Sequence, residues 1–512
     1  MQLIQENKKC FLPIILTISL LLRFSFLALH PDGVNQDELS NIYDAWSISE
    51  TGSDRFDTNL PWELRAFGNA DYRPSLFTYL LSLVFLIFGK SVFIARSFSI
   101  LIGVLGIYIL DKFIQQIKLS ETSRLIALTL ISFSPWHIIF SATALEGTVL
   151  APTLFIFCVY LFSRYKDSFN HKRLLILSAS LALFSFSYQS AKLIAALFGL
   201  FVFLYILFKN KDFQKSTLFA LACLILTSPY TYELIYFPEQ FFGRANNSAT
   251  DIQPFYTYGI VYILENFGNN LSSGFLFFEL NKALHLSPYR LLIAEFIFFY
   301  FGILTINKNR KNLHYFLWFL TFICLLPTCF TIENPHPIRI APFLYLAPLF
   351  TALGYSYLKG YFSKGIKYIF IIGITGSIYF QYKVYFNTES LQVGYQPNLT
   401  SFYQDLNKKN ISHPLYIEDH GNQPYIYHLY YSNTHPNEFK STKKDLGERN
   451  GKYDKVNFIG NVNWCNSNEI DSLIKTNANG TFIFKKDSLK EVYPSTDQIT
   501  TKDYTYSIFL VN

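Results

Sequence analysis

The sequence predicts an all-α polytopic membrane bundle of about eleven transmembrane helices, followed by a small C-terminal extracytoplasmic α/β domain. The chain has 512 residues, of which 51% are hydrophobic and only 15% are charged. Soluble domains usually carry about 25% charged residues, so lipid is the solvent that fits this composition. Apolar runs recur as far as residue 384, and the sequence beyond it is rich in Asn, Lys, Asp and Ser. We therefore expect a membrane domain over 1–384 and an extracytoplasmic domain over 385–512.

The membrane domain contains apolar runs of about the length that crosses a bilayer, which takes about 17–25 helical residues. We expect helices because a membrane-spanning helix satisfies its own backbone hydrogen bonds. The first run follows Lys8-Lys9 and has no small-residue cleavage site, so we predict an uncleaved helix with a cytoplasmic N-terminus. The predicted spans lie at 10–29, 92–111, 122–140, 144–164, 173–189, 191–208, 215–231, 289–306, 313–331, 338–358 and 366–384.

Short basic connectors between these runs set the predicted topology. The positive-inside rule places Lys- and Arg-rich short loops in the cytoplasm. The long stretches 30–74 and 232–288 and the C-terminal domain then lie outside. The connectors are Lys166 with Lys172-Arg173, Lys209 with Lys211, Lys308 with Arg310-Lys311, and Lys359 with Lys364 and Lys367.

Residues 75–89 are very apolar but form a run of only about 14 residues. That length is more typical of an interfacial or re-entrant segment than of a transmembrane helix. If this run crossed the bilayer, every later loop would change sides and the basic connectors would lie outside. We therefore predict an interfacial helix within a large external loop over 30–91.

The C-terminal domain shows short strand-like runs and one segment with aromatic residues at near-helical spacing, over 423–431. This mixture predicts a small α/β domain. No motif in it carries chemistry, so we expect a supporting or acceptor-binding role. The predicted strands are 415–417, 456–459, 481–484 and 504–511.

Several classes of site are excluded by residue type and spacing. The six cysteines include no CxxC pair, which argues against a disulfide framework and a zinc site. His30 and His137 lie near acids, but their spacing matches no ligand motif, so we predict no metal and no cofactor. No Gly-rich phosphate loop is present, and the net charge of +7 lies in short connectors rather than on a nucleic-acid surface.

The first external loop opens with an acidic pair, Asp37-Glu38, directly after the first span. Carboxylates beside a membrane bundle are costly unless solvated or paired, so they are candidates for function. The residues after them, 39–49, have helical spacing, which places the pair at a helix N-terminus where the dipole favours negative charge. A plain helix N-cap with a solvated neighbour is the structural alternative.

The order of motifs after this pair resembles the C-type glycosyltransferase superfamily, especially family 39-like enzymes. That group includes protein O-mannosyltransferases and the aminoarabinose transferase of lipid A. Those enzymes have an Asp-Glu pair after the first span, then a basic-Pro-Pro segment, a Phe-Gly and an Arg-x-x-Ser-like stretch. The matching residues here are Asp37-Glu38, Arg73-Pro74, Phe88-Gly89, Arg96 to Ser99, Ser134-Pro135 to Glu146, Tyr188 to Lys192, and Asn334 to Arg339.

The resemblance implies a division of roles. Asp37 would be the general base, and Glu38 and Glu146 would position the acceptor or tune that base. Cations at outer helix ends would stabilise the departing lipid phosphate, and the candidates are Lys192, Arg339, His336 and Arg73. Their structural alternative is snorkelling to the headgroups. The sequence departs from the family pattern at Ser75, where a second Pro is usual, and at Glu146, where Asp is common.

We therefore expect a glycosyltransferase, for hexosyl or pentosyl groups, in a cytoplasmic membrane. It would move sugar from a polyprenyl-phosphate donor to a hydroxyl on a lipid, glycan or protein, with inversion, on the external face. A transporter or flippase, or a ligase, for lipid-linked saccharides is the alternative. Arg23 and Arg96 lie nearer helix interiors, where structural pairing is the simpler expectation. The sugar and the acceptor stay open.

Overall fold

The computed structural model describes most of the chain and divides it into two compact units. Unit 1 comprises 1–29, 74–77 and 93–391, and unit 2 comprises 30–73, 78–92 and 392–512. The described residues are 2–29, 33–68, 71–239, 241–243, 259–278, 290–305, 310–362, 365–387, 396–409, 411, 414–419, 421, 423–449, 453–466, 469–476, 480–486, 495, 497–501 and 503–511. His30 to Asp32, Arg244, Lys308 and Lys364 lie outside them.

Unit 1 is built from helices. They are α1 (Gln2–Leu29), α4 (Val92–Gln116), α5 (Glu121–Phe133), α6 (Pro135–Ser141), α7 (Leu150–Tyr165), α8 (His171–Ser185), α9 (Gln189–Leu204), α10 (Phe213–Leu226), α11 (Ser228–Tyr236), α12 (Ile260–Asn270), α13 (Phe296–Leu304), α14 (Lys311–Leu325), α15 (Ala347–Lys359) and α16 (Gly365–Asn387). Short 3-10 or π segments flank some of them, at Tyr205–Lys209, Gly274–Phe278, Ile293–Glu295, Leu326–Phe330 and Ala341–Tyr345.

A helix lies within each of the eleven predicted spans. Among the described residues, four helices are long and apolar enough to cross a membrane, and up to six if two bent pairs each count as one span. The bent pairs are α5 with α6, at 55°, and α10 with α11, at 52°. The span count of eleven therefore stays a prediction. The predicted run 144–164 begins too early, because residues 142–149 form turns and α7 starts at Leu150.

The closest helix packing in unit 1 is between α13 and α15, and two glycines permit it. A Cβ added to Gly302 would lie 1.8 Å from the carbonyl oxygen of Phe350. A Cβ added to Gly354 would lie 1.8 Å from the carbonyl oxygen of Phe298. Small residues at such a crossing let two backbones approach, which is how helices in lipid gain packing energy.

Unit 2 combines part of the first loop with the C-terminal domain. The loop contributes α2 (Gln36–Thr51), β1 (Glu63–Arg65), β2 (Tyr72–Pro74) and most of α3 (Leu76–Phe88). The C-terminal domain contributes α17 (Pro397–Lys408), β3 (Leu415–Glu418), α18 (Pro424–Tyr431), α19 (Pro436–Ser441), β4 (Lys444–Arg449), β5 (Tyr453–Ile459), β6 (Val462–Cys465), α20 (Ile470–Thr476), β7 (Gly480–Lys485), β8 (Asp497–Thr500) and β9 (Thr505–Val511).

The C-terminal strands form one sheet, which has seven strands within the described residues, in the order β4-β5-β6-β3-β7-β9-β8. β3 pairs in parallel with β6 and β7, and the remaining pairs are antiparallel. Trp464 donates to the Tyr403 hydroxyl of α17 at 3.0 Å, whereas the next residue, Cys465, packs with α20 residues on the opposite face. Adjacent strand residues point to opposite faces, so helices cover both sides of the sheet.

A buried ion cluster holds the first loop together. The Asp44 Oδ2 atom lies 2.6 Å from Nη1 of Arg55 and 2.6 Å from Nη2 of Arg73, and all three side chains are almost completely buried. Arg55 also donates to the Ser40 hydroxyl of α2 at 2.6 Å. These bonds join α2, the loop that follows it and β2. One carboxylate thus links three segments of the loop.

Helix α3 packs on this loop. The Thr78 hydroxyl donates to Asn41 at 3.3 Å, and the Tyr79 hydroxyl donates to the carbonyl of Pro61 at 2.6 Å. The helix has 13 residues, so it is about 20 Å long at 1.5 Å per residue, shorter than the roughly 30 Å hydrocarbon core. These features support the interfacial placement that the sequence predicts.

This placement can be tested by cysteine labelling. In a cysteine-free background, Phe88→Cys at the exposed end of α3 is expected to react with a membrane-impermeant maleimide added to intact cells. The control is Asp167→Cys in a predicted cytoplasmic connector, which is expected to react only after permeabilisation. Labelling of Phe88→Cys only after permeabilisation would show that α3 crosses the membrane.

The ion cluster predicts a large stability effect at Asp44. Asp44→Asn leaves two buried guanidinium groups without their carboxylate, and we expect a loss of about 3–5 kcal/mol in unfolding free energy. The matched control is Asp57→Asn in the same loop, whose carboxylate is 73% exposed and 3.6 Å from Lys440. Thermal unfolding in detergent measures both. Equal melting temperatures for the two variants would contradict the role of the cluster.

Candidate functional site

The acidic pair lies at the N-terminus of α2, as the sequence predicts. Asn35 is the N-cap, and its side chain accepts a hydrogen bond from the backbone N–H of Asp37 at 2.8 Å. Asp37 is half-buried, whereas Glu38 is fully buried. Both carboxylates lie in the first turn of the helix, at the positive end of its dipole. Asp37 is therefore the member of the pair that keeps access to other molecules.

The C-terminal domain supports this helix start within unit 2. The Tyr427 hydroxyl donates to the carbonyl of Val34 at 2.7 Å, and the N–H of Val34 donates to Thr400 at 3.0 Å. Burial raises the pKa of the Tyr427 phenol well above its ordinary value, and the charges of Asp37 and Glu38 add to the shift. Tyr427 thus stays a hydrogen-bond donor. The sequence predicts the aromatic helix that contains Tyr427 but does not predict this hydrogen bond.

Arg73 takes part in the buried cluster rather than standing alone in the loop. Its guanidinium shares the Asp44 carboxylate with Arg55, so two cations face one anion. Nε of Arg73 is buried and has no hydrogen-bond partner among the residues that the structure describes. Arg73 therefore has one hydrogen-bond donor left in this cluster.

Glu146 lies in unit 1, in the turns between α6 and α7, and is 5% exposed. The neighbouring Gly147 packs against the ring of Tyr188, where an added Cβ would lie 2.5 Å from the ring. Tyr188 is the residue just before α9. This contact holds the Glu146 turn against the start of the helix that carries Lys192.

Lys192 lies in the first turn of α9 and faces aromatic rings. Its Nζ is 4.8 Å from the ring centroid of Tyr230 and 4.5 Å from that of Phe241. Tyr230 is fixed by a hydrogen bond from its hydroxyl to the carbonyl of Ser185 at 2.7 Å. Cation–π contacts of this kind hold an ammonium in place.

Arg339 and His336 share one acid, Glu333. Arg339 donates to the Glu333 carboxylate at 3.2 Å and to its carbonyl at 3.1 Å, and His336 Nε2 lies 3.5 Å from the same carboxylate. The Ser190 hydroxyl of α9 donates to the carbonyl of Arg339 at 2.9 Å. The structure therefore brings Glu146, Lys192 and Arg339 to one end of unit 1. Asp37, Glu38 and Arg73 belong to unit 2.

Arg23 confirms the expectation of structural pairing, with neutral partners instead of an acid. Fully buried, it donates to the hydroxyls of Ser19 and Ser141 and, at 2.5 Å, to Nδ1 of His137. A cationic guanidinium has no acceptor, so Nδ1 is unprotonated and Nε2 carries the proton that bonds the Tyr345 hydroxyl at 2.9 Å. Both ring nitrogens of His137 are therefore engaged, which argues against His137 as a base or metal ligand.

A metal site is not formed by the described residues. No group of three or more His, Cys, Asp or Glu side chains among them lies close enough to hold an ion. His30, one of the two histidines considered from the sequence, is outside the described residues.

Comparison with known proteins gives matches among solved structures. No family model and no curated protein matches the sequence. ArnT from Cupriavidus metallidurans in the apo state matches with a TM-score of 0.56 at 11% identity, over 97% of this chain and 97% of that one. ArnT bound to undecaprenyl phosphate gives 0.51 at 10% identity over the same shares. The Archaeoglobus fulgidus oligosaccharyltransferase gives 0.48 at 14%, over 81% of this chain and 61% of that one.

The matches to the two ArnT structures cover nearly the whole length of both chains, and ArnT has the C-type glycosyltransferase fold. At this level of identity the likeness establishes the fold. It confirms the fold that the ordered motifs predict from the sequence. The chain has the fold of the C-type glycosyltransferases.

Proposed function

We propose that this protein is an integral membrane glycosyltransferase that moves a sugar from a polyprenyl-phosphate donor to an acceptor hydroxyl on the external face of a cytoplasmic membrane. The observation that carries the proposal is an acidic pair at the N-terminus of α2, in a chain with the C-type glycosyltransferase fold. ArnT, one protein of that fold, has been crystallised with undecaprenyl phosphate. A lipid-linked donor is the substrate class that this likeness supports.

Asp37 is the proposed general base. It is half-buried, while its neighbour Glu38 is fully buried. The acceptor hydroxyl gives its proton to the Asp37 carboxylate as its oxygen attacks the anomeric carbon. The bond from that carbon to the phosphate oxygen breaks, and the electron pair leaves with the polyprenyl phosphate. A single displacement of this kind inverts the anomeric centre.

The departing phosphate needs positive charge, and we assign this role to Lys192, Arg339, His336 and Arg73. Lys192 and Arg339 lie at one end of unit 1, joined by the bond from Ser190 to the Arg339 carbonyl. The rings of Tyr230 and Phe241 hold the Lys192 ammonium in place. The Asp44 carboxylate holds the Arg73 guanidinium in place. Glu146 is the proposed acceptor-positioning acid.

The base assignment is tested by Asp37→Asn. The amide keeps the size of the side chain but cannot take a proton, so we expect transfer to fall about 10²–10⁴-fold, the usual contribution of general base catalysis. The measurement is release of polyprenyl phosphate from a polyprenyl-phosphate sugar by purified enzyme. Glu50→Gln, at the other end of α2, is the control for loss of one negative charge. Near-normal transfer by Asp37→Asn would remove Asp37 as the base.

The phosphate assignment is tested by Lys192→Ala in the same assay. Because the ammonium is assigned to the donor phosphate, we expect the KM for the donor to rise and the KM for the acceptor to stay unchanged. Lys166→Ala, in a predicted cytoplasmic connector, controls for loss of one positive charge. Unchanged donor kinetics in Lys192→Ala would exclude this residue from the phosphate site.

A further inference from the structure

A cavity of about 120 Å³ lies in unit 1 where the ends of α5, α13, α14 and α15 meet. None of its lining residues belongs to the candidate site. Its volume is well below the roughly 300–1,000 Å³ of pockets that enclose drug-sized ligands, so it has room for a small headgroup only. The cavity is lined by Leu119, Ser120, Ser123, Thr305, Arg310, Leu313, His314, Leu353, Ser356 and Tyr357.

One wall of the cavity is a chain of hydroxyl groups. Ser120 is the N-cap of α5, and its hydroxyl lies 2.8 Å from the hydroxyl of Ser123. The Ser123 hydroxyl in turn lies 2.8 Å from that of Ser356 on α15. The chain ends beside the N-terminus of α5, which carries the positive end of the helix dipole. Hydroxyls and a helix N-terminus together favour an anionic oxygen ligand.

The cation of the cavity is Arg310. Its guanidinium donates to the carbonyls of Ile117 and Lys118, at 3.4 and 2.8 Å, and to no carboxylate among the described residues. The described lining of the cavity contains no Asp or Glu. Asp111 and Glu121, acids on the flanking helices, are both paired with Arg124, at 2.5 and 3.1 Å. The lining therefore combines a positive charge, hydroxyl donors and no negative charge.

We propose that this cavity binds a phosphate group, either of a phospholipid headgroup or of free phosphate. Arg310 supplies the charge, and Ser120, Ser123 and Ser356 supply hydroxyl contacts. The cavity is at the end of the bundle that contains the basic connectors predicted to lie in the cytoplasm. An inner-leaflet anionic lipid is the ligand that this position favours. The proposal does not depend on the proposed glycosyltransferase reaction.

Native mass spectrometry of the full chain in detergent tests the proposal, with short-chain phosphatidylglycerol, inorganic phosphate and diacylglycerol as separate probes. Arg310→Gln is expected to weaken binding of the phosphate-bearing probe roughly tenfold or more, as loss of a charge-assisted hydrogen bond does. Lys311→Gln is the matched control: it removes the same charge at the next residue, which does not line the cavity. It is expected to bind like the unchanged chain.

Arg310 also donates to the carbonyls of Ile117 and Lys118, just after α4, so Arg310→Gln could fold poorly. A second variant therefore tests the same cavity. Ser356→Phe places a ring in the cavity from an exposed position and keeps the cation. It is also expected to lose the ligand. Binding of phosphatidylglycerol alone would identify a headgroup site, and binding of phosphate a site for the free anion. Equal binding of diacylglycerol, or equal binding by Arg310→Gln and Lys311→Gln, would overturn the proposal.

Discussion

The buried Asp44 carboxylate is the interaction that holds together the part of the proposed active site that lies in unit 2. It binds Arg55 and Arg73 at 2.6 Å each and so fixes α2 against the loop and strand that follow it. Helix α2 carries Asp37 at its first turn, and the angle at which the helix lies sets where that carboxylate points. The same carboxylate holds Arg73, which we assign to the donor phosphate. The cluster that stabilises the loop thus also positions one of the proposed phosphate ligands.

Unit 1 buries a charged side chain, Arg23, inside its helix bundle. Arg23 is surrounded by hydroxyls, carbonyls and His137 instead of an acid. Burying a charge without hydrogen bonds would cost many kcal/mol, and these neutral dipoles offset that cost. The network joins α1, α5 and α6 with the segment that carries Tyr345. It therefore fixes the helix that precedes the Glu146 turn.

Local patterns predicted the elements well. Apolar runs located the helices of unit 1, and the Asp37-Glu38 pair was placed correctly at a helix start because the helical spacing after it is plain. Strands β1, β2, β4, β6 and β8 were missed: all but β4 have at most four residues, and polar residues interrupt β4 and β8. The turns before α7 were missed because Ala144, Leu145 and Val149 are apolar and adjoin the apolar run of that helix.

Partners distant in sequence could not be predicted. Arg73 and Asp44 are 29 residues apart, and Arg23 and His137 are 114 apart, so no local spacing reveals either contact. The aromatic helix of Tyr427 was visible, but its bond to Val34 joins segments 393 residues apart. Such contacts form when the chain buries polar groups and must satisfy them, and the choice of partner is set by the fold. The order of the motifs nevertheless predicted the fold correctly, because it resembles the motif order of a family whose fold is known.

The central claim is that the protein transfers sugar from a polyprenyl-phosphate donor. Its most direct test is mass spectrometry of lipids after the purified protein is incubated in vesicles that contain a lipid extract from its own membrane. A glycosyltransferase is expected to consume a polyprenyl-phosphate sugar and to release an equal amount of free polyprenyl phosphate. Movement of that lipid across the bilayer with its sugar still attached would contradict this activity and indicate a transporter.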